Sequence, residues 1–481
     1  MYNTEYELVV RLLQHYFGAQ VAKVGGAILL RGQVTLQRLL SQPHFDFKSV
    51  RNSLIILIHH GFVDYVLQPP QAGGRRSAAV LYSMNCERVL AFPLLPFGCV
   101  MAKKELTEAC CAILALAAKR GTISQRRLCE LCVADLSLRP EDVASSVASL
   151  MQAGYLSSCE SYRHRLTTAE VTSRGTDPND PLAAMNSAIY HVMQGAELTG
   201  ADGPMLRVNS QYVVDRLLKE EIVNLVCRRV GDLPLLRAIM KVLLDNPRKE
   251  WPHVVEYTQL ESNVLRVLQD EFGKSQSGEQ VMRLLSALNK HPDNLVRYEA
   301  VTRSYYFDWD KAKGMLRRKT IFGCVRQLCG LKSARVWSLL VSTNEKNSHA
   351  TFDAHMVSTR ALVSMQTARG ILYGLTLRGL AKHHETDAVV TTMPATNTSD
   401  RHVLSFSSSV ESTYLQLMKH SFKFASNLLE RLGCERVGVL KSFFTATGKS
   451  EEVYSRNLKA CDTAEAHLFH VLKFVVLMQR L

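Results

Sequence analysis

The 481-residue chain lacks any apolar run long enough to cross a bilayer. Its longest apolar stretches, at 54–58 and 89–102, are too short, and prolines break the second. The first residues lack the basic segment and the apolar segment of a secretory signal. We therefore expect neither secretion nor a membrane partner.

The sequence also has few residue patterns that could form a catalytic or metal centre. The twelve cysteines are scattered through helix-like apolar stretches, which is typical of reduced thiols rather than a disulfide framework. Cys129 and Cys132 have the spacing of half a zinc site, but no second half follows. Gly448-Lys449-Ser450 ends like a phosphate-binding loop, yet Phe443 stands where that loop needs glycine. We expect no enzymatic activity of its own, no cofactor and no metal.

Acidic residues are the minority charge. Lys and Arg number 58 against 44 Asp and Glu, so the net charge is +14. Residues 301–382 carry fourteen basic and four acidic residues, and thus hold ten of those net charges. Such an excess favours an anionic partner, commonly nucleic acid.

One local pattern recurs along the chain. An apolar helix at 50–60 stops at Gly61 and continues into a β-type segment, Phe62 to Val66, and 80–84 returns as a second strand. Similar segments occur at 143–156, with Gly154, and at 360–382, with Gly379. A weaker copy, with a longer turn, spans 281–298. Because further helical patterns precede each copy, the arrangement predicts the winged-helix variant of the helix-turn-helix.

The predicted fold class is therefore mainly α with small β-ribbons. Four serial winged-helix domains are followed by a C-terminal helical hairpin or coiled coil. The hairpin prediction rests on apolar positions three and four apart around Tyr414 to Leu428 and Leu458 to Val475. The predicted boundaries are 1–95, 101–171, a linker with a connecting helix at 172–204, 205–310, 311–400 and 405–481.

The order of several motifs adds a family resemblance. They are Phe17-Gly18, residues 21–25, 50–65, Tyr82 and 86–90 near the N-terminus, then 334–337, 368–372 and 426–431. In this order they resemble the winged-helix subunit of RNA polymerase III, the largest member of its heterotrimeric, TFIIE-like initiation subcomplex.

The resemblance implies a nuclear, non-catalytic subunit of the polymerase that acts in transcription initiation. Its expected partners are the other polymerase III subunits, including the two other members of the heterotrimer, the initiation factor TFIIIB, and double-stranded and melted promoter DNA. Two other classes remain open: a winged-helix scaffold of the cullin or proteasome-lid type, and a sequence-specific DNA-binding regulator. The second copy argues against uniform DNA reading, because its helix starts with acidic Glu141 and Asp142.

The basic window supplies the candidate nucleic-acid contacts. A solvated helix face or an acidic protein partner would also explain this charge. If DNA is bound, the clustered charges predict contacts to phosphates rather than to bases. The candidates are Lys311, Lys313, Arg317, Arg318 and Lys319, together with Arg75 and Arg76 in the turn of the first ribbon.

Overall fold

The computed structural model describes residues 3–68, 79–159, 204–245, 253–273, 277–346, 351–387, 402–444 and 450–481. The chain forms two compact units, one of Met1–Arg216 with Ser421–Leu477 and one of Leu217–His420 with Met478–Leu481. Helices dominate, and the described strands form small antiparallel sheets. The predicted fold class is thus confirmed, whereas the number of winged-helix domains and their boundaries stay predictions.

The N-terminal segment of the first unit follows the predicted helix–glycine–strand order. Asp46 caps α4 by accepting a hydrogen bond from the backbone N–H of Ser49 at 3.0 Å. Gly61 ends that helix at φ +68°, and the chain enters β2. The elements are α1 (Asn3–Phe17), α2 (Ala19–Arg31), β1 (Gln33–Thr35), α3 (Leu36–Leu40), α4 (Phe47–His59), β2 (Val63–Gln68) and β3 (Ala79–Met84).

Two of these elements, α2 and β1, were absent from the sequence-based pattern. Glycines inside α2 lower its helix propensity, but packing explains one of them. A Cβ at Gly25 would lie 2.6 Å from Leu13 Cδ1, so any larger residue would force the Leu13 side chain or the two helices to move. The three-residue β1 pairs with β3, which lies between β1 and β2 in the sheet.

The second segment forms a three-stranded sheet whose central strand lies far along the chain from the other two. It comprises α5 (Cys86–Ala91), a 3-10 turn (Phe92–Leu94), α6 (Leu95–Glu105), α7 (Glu108–Arg120), β4 (Ile123–Ser124), α8 (Gln125–Leu136), α9 (Pro140–Gln152), β5 (Leu156–Cys159) and β6 (Met205–Val208). The central strand β6 pairs with both β4 and β5. The prediction ended the second domain at 171, whereas the strand that completes this sheet, β6, lies in the range that the prediction gave to the third domain. Of the predicted linker and connecting helix at 172–204, residues 172–203 lie outside the described residues.

The second unit, which begins within the next helix, contains the third sheet. Its elements are α10 (Ser210–Val230), which begins in the first unit's residue range, α11 (Pro234–Asp245), β7 (His253–Glu256), α12 (Tyr257–Phe272), α13 (Gly278–Lys290), β8 (Val296–Glu299) and β9 (Ser304–Phe307). Strand β9 lies between β7 and β8. The weak copy of the pattern is thus a helix followed by a strand, with Asn294 at φ +46° in the turn where the other copies have glycine.

The fourth segment comprises α14 (Trp309–Cys329), α15 (Leu331–Lys346), α16 (Ala354–Ala361), α17 (Met365–Leu377), β10 (Lys382–Asp387) and β11 (His402–Ser407). The copy at 360–382 was expected to begin with one helix ending at Gly379, whereas α16 ends at Ala361 and α17 begins at Met365. Leu362 takes a left-handed conformation, and Ser364 starts α17 by accepting a hydrogen bond from the N–H of Thr367. Strand β11, which pairs with β10, begins just beyond the boundary predicted at 400.

Two long helices, α18 (Val410–Phe444) and α19 (Ser450–Arg480), form the C-terminal hairpin. They run antiparallel, because Tyr414 donates a hydrogen bond to the carbonyl of Met478 and Arg436 pairs with Glu465. The predicted stripe is partly wrong, since Phe424 is 53% exposed and Leu458 is 42% exposed. The buried stripe of α18 instead follows Leu417, Met418, Phe422, Ala425, Leu428, Leu429 and Leu432.

Candidate nucleic-acid interface

Helix α14 carries the five candidate cations of the basic window. Asp308 caps it by accepting a hydrogen bond from the N–H of Lys311 at 3.0 Å, and Gly330 at φ +86° ends it. Lys311 is half-buried, and the ammonium of Lys313 lies 5.5 Å from the ring centroid of Trp309. The ammonium of Lys313 thus lies against its own helix.

Arg317 is held by protein contacts. Its guanidinium donates a 2.8 Å hydrogen bond to Glu411 and lies 4.0 Å over the ring of Tyr414, both on α18. Its side chain is 20% exposed. These contacts give Arg317 a structural role in packing α14 against α18, which a phosphate contact would have to disrupt.

Arg318 and Lys319 point to different neighbours. Arg318 pairs with Glu345 on α15. Burial lowers the pKa of Lys319, and the nearby charges of Arg228 and Arg229 lower it further against the opposing effect of Glu221. Lys319 is therefore the candidate that lies in a positive field. The structure does not bring the five candidates together on one face, since successive helical residues point about 100° apart. Arg75 and Arg76 lie outside the described residues.

A second set of cations surrounds the turn between α14 and α15. Arg326, Lys332, Arg335 and Arg378 are exposed, and none of them has an ion-pair partner among the residues that the structure describes. Arg378 is near the end of α14, since its charge opposes the burial that raises the pKa of Cys329. We call these four residues the corner patch. Sequence reasoning noted their charge but did not select them; the signal was the spacing of Lys332 and Arg335, which places both on one face of α15.

The exposed face of α9 differs from this basic surface. The helix begins at Pro140, and Glu141 and Asp142 are exposed in its first turn. The rest of its exposed face carries small side chains, among them Ala144, Ser145 and Ala148. Such a face has few side chains that could hydrogen-bond to base edges, and its acidic residues repel phosphate.

The remaining sequence motifs are the cysteine pair on α8 and the Gly448-Lys449-Ser450 segment. Cys132 is buried on α8, where burial raises the pKa of its thiol to about 11, and Cys129 is half-buried on the same helix. In the described ranges, no group of three or more His, Cys, Asp or Glu is arranged to hold a metal ion. Gly448 and Lys449 lie outside the described residues, whereas Ser450 begins α19. Among the helices described, none is both long and apolar enough to span a membrane.

These elements define a class of protein: a basic, mainly helical chain with helix-turn-helix units that end in small β-sheets. Comparison with known families narrows the class. Residues 7–68, from α1 to β2, match the model of the RNA polymerase III subunit RPC82 helix-turn-helix domain.

A curated relative points in the same direction. The chain is 25% identical over 193 residues to the DNA-directed RNA polymerase III subunit RPC3 of Danio rerio. This match covers 38% of the chain and about a third, 34%, of the relative. The resemblance to the winged-helix subunit of RNA polymerase III, predicted from the sequence, is confirmed.

Proposed function

We propose that this protein is a non-catalytic, peripheral subunit of nuclear RNA polymerase III that acts in transcription initiation. The observation that carries the proposal is the match of residues 7–68 to the helix-turn-helix domain of subunit RPC82. The relative named RPC3 supports it. Its partners would be the other polymerase subunits, the initiation factor TFIIIB and promoter DNA. Neither the cullin-type scaffold nor the sequence-specific regulator is favoured by these matches.

Purification from cells tests the assembly directly. A tagged full-length chain should be nuclear and should recover the catalytic subunits of RNA polymerase III in near-stoichiometric amounts at physiological salt, with the tag alone as control. Recovery of the chain only as a stable monomer would contradict the proposal.

We further propose that the second unit contributes DNA phosphate contacts. The corner patch is the best candidate because its cations are exposed and carry no competing ion pairs among the described residues. Lys319 extends it, since residues seven apart in one helix, here Lys319 and Arg326, share a face and lie about 10 Å apart. Arg317 is excluded from this set by its contacts with Glu411 and Tyr414.

A charge-removal series tests the phosphate contacts. In the assembled polymerase, the variant Arg326→Gln, Lys332→Gln, Arg335→Gln should weaken binding to all DNA sequences alike. If all three residues contact phosphates, the magnitude of the slope of log K against log salt should be smaller than that of the wild type by about three. The effect should be seen on closed and on pre-opened promoter templates over a salt series.

The matched control is Arg38→Gln, Lys104→Gln, Lys119→Gln, which removes the same charge from exposed positions of the first unit. Its salt slope should stay at the wild-type value. Equal slopes in both variants would mean that the corner patch contributes only to net charge, and the proposed DNA contact would be wrong.

A further inference from the structure

The first unit contains a partly open cavity of about 280 Å³, lined by residues of its first two segments and of the start of α10. This volume lies near the lower limit of small-molecule sites. One wall is aromatic and comes from His60, Phe62 and Phe92, whose rings contact one another. The residues that line the rest, among those described, include Arg88, Arg207, Ser157, Asn209, Ser210 and Gln211.

Two guanidinium groups meet at this cavity. Arg88 donates hydrogen bonds to the carbonyl of Gly61 at 2.9 Å and to Asp64 at 3.1 Å, so its position is fixed. Burial lowers the pKa of Arg88, and the like charge of Arg207 lowers it further. Arg207 lies against Gly61, where any Cβ would overlap its guanidinium.

The charge of the cavity is unbalanced. None of the described residues that line it is Asp or Glu, and Asp64 neutralises only Arg88. No ion pair joins Arg207 to a described carboxylate. Two arginines that converge without a carboxylate between them leave a positive field in a partly closed space, where charges interact more strongly than in water. This arrangement favours an anion between them.

The start of α10 adds to the same field. Asn209 caps the helix by accepting a hydrogen bond from the N–H of Tyr212 at 3.2 Å, and Ser210 and Gln211 in its first turn line the cavity. The N-terminus of a 21-residue helix carries partial positive charge. Hydroxyl and amide donors beside two guanidiniums match a tetrahedral oxyanion, which accepts several hydrogen bonds at once.

We propose that this cavity binds a small phosphate compound, with Arg88 and Arg207 as its charged ligands. The occupant is a free phosphoryl group rather than a nucleic-acid backbone, because the space is the size of a small-molecule site and is backed by an aromatic wall. The proposal does not depend on the polymerase assignment.

Binding of inorganic phosphate and pyrophosphate to the full-length chain tests it. Calorimetric titration and thermal unfolding should show saturable binding that chloride at equal ionic strength does not reproduce. Arg207→Gln should weaken binding at least tenfold. Arg38→Gln, which removes an exposed cation of the same unit, should leave the affinity unchanged.

Stability without phosphate separates a ligand from a structural residue. Because Arg207→Gln removes a like-charge repulsion with Arg88, the variant should unfold at the wild-type temperature or above it in phosphate-free buffer. The proposal is wrong if phosphate and pyrophosphate fail to bind saturably, or if Arg207→Gln binds them as the wild type does. It is also wrong if duplex DNA alone gives an Arg207-dependent signal.

Discussion

Trp337→Ala should destabilise the second unit by about 3–5 kcal/mol, the usual cost of removing a fully buried aromatic side chain. Trp337 lies on α15 and is 1% exposed. Its indole N–H donates a 2.9 Å hydrogen bond to Thr413 Oγ1 at the start of α18. The substitution therefore leaves a cavity and also removes a hydrogen bond between α15 and α18.

The Thr413 hydroxyl links this contact to the turn between α17 and β10. It lies 3.4 Å from the carbonyl of Leu380 and 3.2 Å from the hydroxyl of Ser408, which itself donates to that carbonyl at 2.7 Å. Trp337→Phe keeps most of the volume and should cost only about 1–2 kcal/mol, because Thr413 retains its other partners. A comparable loss of stability in both variants would show that the hydrogen bond, and not the buried volume, makes the larger contribution to stability.

Denaturant unfolding and amide hydrogen exchange measure this effect. Exchange is needed because a chain of two units need not unfold in one transition. Protection should fall in peptides from 331–346 and 410–420. Leu377→Ala, at a position 87% exposed in the same unit, should change stability by less than about 0.5 kcal/mol. Unchanged protection in Trp337→Ala would contradict the predicted packing of α15 against α18.

The second large effect is expected from Leu206→Ala in the first unit. Leu206 is fully buried in β6, and it lies opposite Ile123 of β4 and Ser158 of β5. Truncation of a buried leucine costs about 2–5 kcal/mol. Because β6 is the strand that joins β4 to β5, the loss should also weaken the pairing of both neighbours.

The location of the damage tests whether β6 belongs to the second segment. Exchange protection should fall in peptides that contain 123–124 and 156–159. Leu30→Ala, 72% exposed on α2 of the same unit, serves as the control. If protection falls instead only beyond residue 217, residues 205–208 belong with the third segment, as the sequence alone suggested.

Much of the helix–strand order could be predicted from the sequence. The prediction used the periodic apolar face of α4, its end at Gly61 and the β-type residues that follow. These signals depend only on neighbouring residues, so they can be read without the tertiary structure. The same holds for Gly154 at the end of α9 and for the acidic start of that helix. The chain order of these motifs was also sufficient for the family resemblance, which the comparisons confirm.

The positions of charged side chains could not be predicted in this way. Residues 317–319 form one basic run in the sequence, yet Arg317 contacts Glu411 and Arg318 contacts Glu345, both distant along the chain. A run of like charges indicates net charge, whereas ion pairing depends on which carboxylates the fold brings near. The exposed cations of the corner patch became distinguishable only by their lack of such partners among the described residues.

The sequence by itself therefore determined the helical class, the recurring unit, the basic character and the family likeness, because each depends on neighbouring residues or on composition. The tertiary structure decided that β6 completes the second sheet and that Leu362 separates α16 from α17. It also decided that Arg88 meets Arg207 at a cavity. These features depend on strand pairing and packing between residues far apart in the chain, whose energies no local pattern contains.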